Sequence, residues 1–269
     1  MATFQHDGLT LAYDDIWPTV SEVGTEAGTV VLVHGFATNR DENWRRLGWL
    51  SAFERKGWRA VALDLRGHGQ SDKPHDPSAY GRDTMVGDIV ALMDYLDLRR
   101  VDLLGYSMGS HLSLALADSH PERVANLVLG GVGARMLSPD SNAFGTGMTM
   151  AQAMRLADPS GITEPTLKGF RQFAENQGED LLALAACSEG RAAPTDRDVL
   201  NRLAMPVLVV AGARDEIAGD PQVLADAIPG AKCISLPACD HFSAIPHALF
   251  KAAVFDFLEG WLDEGPEPY

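Results

Sequence analysis

Three observations predict an α/β fold here: a mostly parallel central sheet of about eight strands, flanked by helices, with an inserted helical cap. Short apolar runs alternate with amphipathic stretches along most of the chain, the pattern of repeated strand–helix–strand units. The turn Gly105-Tyr106-Ser107-Met108-Gly109 joins one such run directly to a good helix former. The alternation then stops between residues 133 and 204, where only short helical patterns occur.

In chain order, Phe4 to Ile16 carries strand-like segments around Asp7-Gly8 and reads as an antiparallel edge hairpin. Strands are expected at Thr29–Val33, Ala60–Asp64, Val101–Tyr106, Val124–Gly130, Val207–Gly212 and Lys232–Leu236. Their near-continuous apolar character suits strands covered on both faces. Helices are expected at Trp44–Lys56, Thr84–Leu96, Met108–Ser119, Pro221–Ala227 and Pro246–Leu262. In the interrupted stretch the helical patterns fall near Ala151–Ala157, Leu167–Asn176 and Leu181–Ser188. A connection of roughly seventy residues is far beyond an ordinary loop. The expected organisation is a core formed by 1–132 and 205–269, with a helical cap, 133–204, inserted after the sixth strand.

Composition bounds the partners. A net charge of −15 in 269 residues argues against nucleic acid or an anionic membrane as a partner. Three cysteines are too few, and odd in number, for a disulfide framework, which suits a reducing compartment. The N-terminal residues lack a basic region followed by an apolar one, so no signal peptide is expected. No apolar run reaches the ~18–20 residues of a membrane span. A cytoplasmic location is the expectation.

The chemistry starts at Ser107. A G-x-S-x-G run between a strand and a helix is a nucleophile elbow, so tight that only small residues fit two before and two after the serine. Attack by Ser107 needs a base, and the base needs an orienting acid. Asp215 lies just beyond Val207–Gly212, and His241 follows Lys232–Leu236. Loops at the carboxyl ends of parallel strands share one edge, so Ser107, Asp215 and His241 can converge there. Asp220, Asp226 and Asp240 also lie nearby; Asp240 adjoins His241 and Asp226 falls inside an expected helix. An oxyanion site is expected from two backbone N–H groups, those of Met108 and of Phe36 in His34-Gly35-Phe36.

With these pieces in place the chain resembles the α/β-hydrolase superfamily, and a serine-nucleophile, esterase-like member with a small helical cap. The motifs are His34-Gly35-Phe36, the run from Asp64 to Asp72, the elbow at Ser107, Gly212-Ala213-Arg214-Asp215, and Asp240-His241-Phe242. The resemblance covers nearly all of the chain. Some members place the acid after the sixth strand, but Gly130-Gly131-Val132-Gly133 holds no carboxylate, which leaves Asp215.

The resemblance implies a two-stage acyl transfer through an acyl-enzyme on Ser107, with a small-molecule ester as substrate and no metal or organic cofactor. C–C hydrolase, lactonase, thioesterase and perhydrolase chemistry stand as alternatives, with a non-catalytic receptor behind them. Candidate substrate contacts are Phe36, Tyr106, Met108, Phe144, Met148 and Phe242. The cap's Met136, Met150, Met154, Phe170 and Phe173 either roof the pocket or form the cap's own core. Arg135, Arg155 or Arg171 would serve an anionic ring-cleavage product. His34 is expected to buttress the oxyanion loop. The sequence leaves oligomeric state open.

Overall fold

The computed structural model describes residues 2–19, 28–137, 148–190 and 197–263. Eight strands form one sheet: β1 (Ala2–His6), β2 (Leu9–Ile16), β3 (Gly28–Val33), β4 (Trp58–Leu63), β5 (Val101–Tyr106), β6 (Val124–Gly130), β7 (Val207–Gly212) and β8 (Lys232–Leu236). Their order is β1-β2-β4-β3-β5-β6-β7-β8. Strand β2 runs antiparallel to both β1 and β4, and every other pair is parallel. Register pairs Val33 with Gly105, Tyr106 with Gly130, and Gly212 with Leu236, so the carboxyl ends of these strands share one edge.

Alternation along the strands divides the core between two faces. Val31, Val33, Leu103, Leu127, Leu129 and Val209 pack on one side, with α2 (Arg82–Tyr95), α3 (Met108–Ser119) and α7 (Pro221–Asp226). Val30, Leu32, Leu104, Val128, Leu208 and Val210 pack on the other, against α1 (Trp49–Arg55) and α8 (Ala248–Leu258).

The helix expected over Trp44–Lys56 is two pieces. Asp41–Arg45 winds as a wide π-helical turn, with the Arg46 N–H reaching Asp41 O at 2.8 Å, and Gly48 at φ 74° breaks the chain before α1. Five residues on a straight helix lie roughly 140° apart, which would aim Trp44 and Trp49 in different directions. The break buries both, with their rings edge to face at 5.9 Å. The last helix is also shorter than Pro246–Leu262: His247 Nδ1 accepts from Leu249 N at its start, and Gly260 at φ 81° lies just past its end.

Between β6 and β7 the described residues contain no strand. They form α4 (Met150–Arg155), α5 (Pro165–Gln177), α6 (Leu181–Gly190) and short 3₁₀ turns. Thr149 and Gln152 close a reciprocal cap at the start of α4. Arg171 Nη1 on α5 donates to the carbonyls of Ala153 and Leu156, each at 2.8 Å, and so satisfies the end of α4. Glu179, beyond α5, accepts from Asn39 Nδ2 at 2.8 Å and from Gly69 N at 2.9 Å, clasping this layer to the loops after β3 and β4. Met136, Met150 and Met154 are buried in the core shared with the sheet. Among the described residues no helix is long and apolar enough to cross a membrane.

Asp102 on β5 makes stability depend on pH. Burial pushes its carboxyl up to about 6, although Asn126 Nδ2 donates to it at 2.7 Å. The folded chain therefore keeps a proton that the unfolded chain loses near pH 4. The stabilisation this proton supplies is complete below about pH 4 and is lost as pH rises through about 6, amounting to roughly 3 kcal/mol at most. Asp102→Asn is expected to raise Tm at pH 8 and to leave it nearly unchanged at pH 4. Thermal melts at the two pH values check this, and an equal shift at both would assign the effect to packing instead of ionisation.

Candidate active site

Ser107 leaves β5 and enters α3 with φ 54° and ψ −114°, a region costly for a residue bearing a side chain. Two glycines permit that turn. A Cβ on Gly105 would lie 2.4 Å from Gly109 O, and one on Gly109 would lie 2.0 Å from Val33 O. Neither contact is physically possible, so the spacing around the serine follows from close backbone approach.

The loop after β7 holds Asp215, which is 3 % exposed. Its Oδ1 accepts from Ile217 N at 3.0 Å and Ala218 N at 2.9 Å, leaving Oδ2 to face His241. His241 follows β8 in a turn organised by Asp240, whose Oδ1 accepts from Phe242 N and Ser243 N. Tyr106 OH donates to His241 O at 2.5 Å and ties that turn back to β5. Asp215 Oδ2 lies 2.8 Å from His241 Nδ1, and His241 Nε2 lies 2.9 Å from Ser107 Oγ. The structure thus brings three residues, far apart in sequence, into one hydrogen-bonded chain. Three other nearby carboxylates are engaged elsewhere: Asp220 caps α7, Asp226 accepts from Gln222, and Asp240 shapes its own turn.

Gly35 packs against the elbow: a Cβ there would stand 3.5 Å from Ser107 Cβ. Phe36 follows directly, and Met108 is the first residue of α3, where backbone N–H groups have no partner within the helix. His34 is fully buried, its Nδ1 donating to Gly35 O at 2.7 Å while Leu65 N donates to its Nε2 at 3.0 Å. Burial lowers its pKa, so the ring is neutral and clamps the Gly35 loop to the segment after β4. That segment is itself pinned by buried Asp64, which takes the Arg40 guanidinium, Arg40 N at 2.8 Å and Gln70 N at 2.8 Å.

A cavity of about 190 Å³ opens beside Ser107 and His241. Phe36, Tyr106 and Phe242 line it. So do Phe170 and Phe173 of α5, with Phe170 6.0 Å from Phe36 and 6.4 Å from His241, centroid to centroid. Met108 and Met148 are not among its walls. The Met108 side chain is 2 % exposed, drawn into the sheet core where α3 packs, and Met148 packs partly buried against the same core. Phe144 lies outside the described residues. Arg135, Arg155 and Arg171 do not line the cavity: Arg135 is exposed, Arg155 pairs with Glu189 at the surface, and Arg171 is occupied by the end of α4.

Sequence reasoning missed a polar wall made by Thr38, Glu42, Asn43 and Gln177. One signal was available for part of it. Phe170, Phe173 and Gln177 are spaced i, i+3, i+7 on α5 and share one helix face. Glu42 and Asn43 carried no such signal, because the π-helical turn that presents them breaks the expected periodicity.

Residues 28–159 match the family model described as alpha/beta hydrolase fold. The chain is similar to the dihydrolipoyllysine-residue acetyltransferase component of the acetoin cleaving system of Pseudomonas putida, 35% identical over 82% of this chain and 60% of that protein. It therefore spans less than two thirds of that relative. It is also similar to a 2-hydroxymuconate semialdehyde hydrolase of Pseudomonas sp. (strain CF600), 32% identical over 76% of this chain and 77% of that one. Among solved structures, a hydrolase from Pseudomonas aeruginosa superposes with a TM-score of 0.74 at 25% identity, covering 96% of this chain and 97% of the other.

Proposed function

We infer that this chain, which belongs to the α/β-hydrolase fold family, is a serine hydrolase of small to medium neutral carboxylic esters, acting through an acyl-enzyme on Ser107. The observation that carries the reading is the unbroken Ser107–His241–Asp215 hydrogen-bond chain at the mouth of an aromatic cavity. In this mechanism His241 Nε2 takes the Ser107 proton as Oγ attacks the ester carbonyl. The tetrahedral oxyanion rests on the Phe36 and Met108 amides, the latter aided by the N-terminal dipole of α3. His241 then protonates the departing alcohol. Water, deprotonated by His241, releases the acid and restores Ser107. Every step uses side chains and amides of the chain itself.

Charge favours a neutral substrate. Among the described residues the cavity wall holds no lysine or arginine to pair with an anion, and its one carboxylate, Glu42, is engaged by Arg46 Nη1 at 2.8 Å. That weighs against cleavage of an anionic ring-cleavage product, the reading suggested by likeness to the semialdehyde hydrolase. Hydrolysis of p-nitrophenyl acetate, butyrate and octanoate tests the proposal. Multiple turnover with the short esters preferred over octanoate is expected. Absence of turnover on all three, together with cleavage of a dienolate, would transfer the assignment to C–C hydrolysis.

A further inference from the structure

Asn43 is a buried polar residue that the proposed mechanism does not use. It sits on the π-helical turn Asp41–Arg45, is 6 % exposed, and lines the cavity beside Ser107. Gly35 N donates to its Oδ1 at 3.4 Å, which fixes which end of the amide faces the oxyanion loop. The Nδ2 end is buried and has no acceptor among the described residues. A buried amide N–H₂ without a partner is destabilising, and an acceptor on a ligand removes that cost.

The position of this donor limits what it meets. Gly35 links Asn43 to the elbow: a Cβ there would stand 3.9 Å from Asn43 Oδ1 and 3.5 Å from Ser107 Cβ. The leaving group must lie near His241 Nε2, which protonates it. Asn43 is tied to the other side, to the loop that receives the carbonyl oxygen. We propose that the Asn43 side-chain amide reads a second oxygen on the acyl group, making the preferred substrates esters with an ether, hydroxyl or keto oxygen close to the ester carbonyl. This deepens the esterase reading and rests on it. It also gives the polar wall a role, since a purely aliphatic acyl group would leave the amide unpaired in the complex.

Two p-nitrophenyl esters of equal size isolate the effect: the butyrate, and the methoxyacetate in which one oxygen replaces a CH₂. Their intrinsic reactivities differ, but that difference is common to every variant, so only the change in the kcat/KM ratio is read. Asn43→Asp keeps an oxygen for Gly35 N and removes the donor; Asn43→Ala removes both. The methoxyacetate-to-butyrate ratio is expected to fall roughly five- to tenfold in each variant. An unchanged ratio, with both esters slowed equally, would make Asn43 a support for the oxyanion loop and overturn the proposal.

Binding separates this outcome from failure of the esterase reading. In Ser107→Ala, NMR titration with methyl methoxyacetate and methyl butyrate gives dissociation constants without turnover. Tighter binding of the methoxy ester, with the Asn43 NH₂ resonances shifting and the difference lost in Ser107→Ala/Asn43→Asp, is expected. Equal affinities in both backgrounds would reject the assignment even if no ester is hydrolysed.

Discussion

Replacing Ser107 with alanine is expected to lower kcat for p-nitrophenyl butyrate by about 10⁶-fold, the scale seen when a serine nucleophile is removed. In the proposed mechanism alanine cannot form the acyl-enzyme, and the Phe36 and Met108 amides alone would leave only slow attack by water. The fold should survive, because alanine occupies the same backbone and the elbow is set by Gly105 and Gly109. A companion variant separates chemistry from strain. Ser107→Gly removes the nucleophile equally but relieves the φ 54° conformation, so it should melt higher than Ser107→Ala. Turnover within tenfold of wild type in well-folded Ser107→Ala would remove the serine from the mechanism.

The second large effect is Asp215→Asn, expected to lower kcat about 10⁴-fold with little change in KM. The structure says why the substitution is so damaging. Asp215 Oδ1 is held by the N–H groups of Ile217 and Ala218, so the asparagine oxygen must stay there. The new NH₂ then takes the place of Oδ2, 2.8 Å from His241 Nδ1. It donates to Nδ1 and forces the proton onto Nε2, the nitrogen 2.9 Å from Ser107 Oγ that has to accept the serine proton. Asp215→Ala lacks this forced donor and should retain more activity than Asp215→Asn. Steady-state kinetics of the two variants decide it; Asp215→Asn retaining more than a tenth of wild-type kcat would move the acid to another carboxylate.

The candidate site was legible where its constraints are local. Gly105 and Gly109 stand two residues either side of Ser107 because backbone atoms pass within van der Waals distance of them, and such a restriction shows as a short motif. His34 and Gly35 were visible as a short motif directly after β3. Strands β5, β6 and β7 were legible with their observed bounds, because buried parallel strands read as largely apolar runs; the bounds of the edge strand β8 matched as well.

Other features depend on partners distant in the chain. Met108 adjoins the serine yet belongs to the sheet core, while Phe170 and Gln177, more than sixty residues away, wall the cavity. The break at Gly48 serves the meeting of Trp44, Trp49 and the last helix, where Trp49 and Phe250 rings pack at 5.0 Å. Nothing in the local sequence announces that meeting.

The sequence by itself determined the fold class, the strand order along the chain, and which serine, histidine and carboxylates were candidates, since these follow from periodicity and tight turns. Only the tertiary structure decided which carboxylate faces His241, which walls enclose the cavity, and that the buried Asn43 Nδ2 has no acceptor among the described residues. Those outcomes depend on packing and hydrogen bonding between segments that only folding brings together.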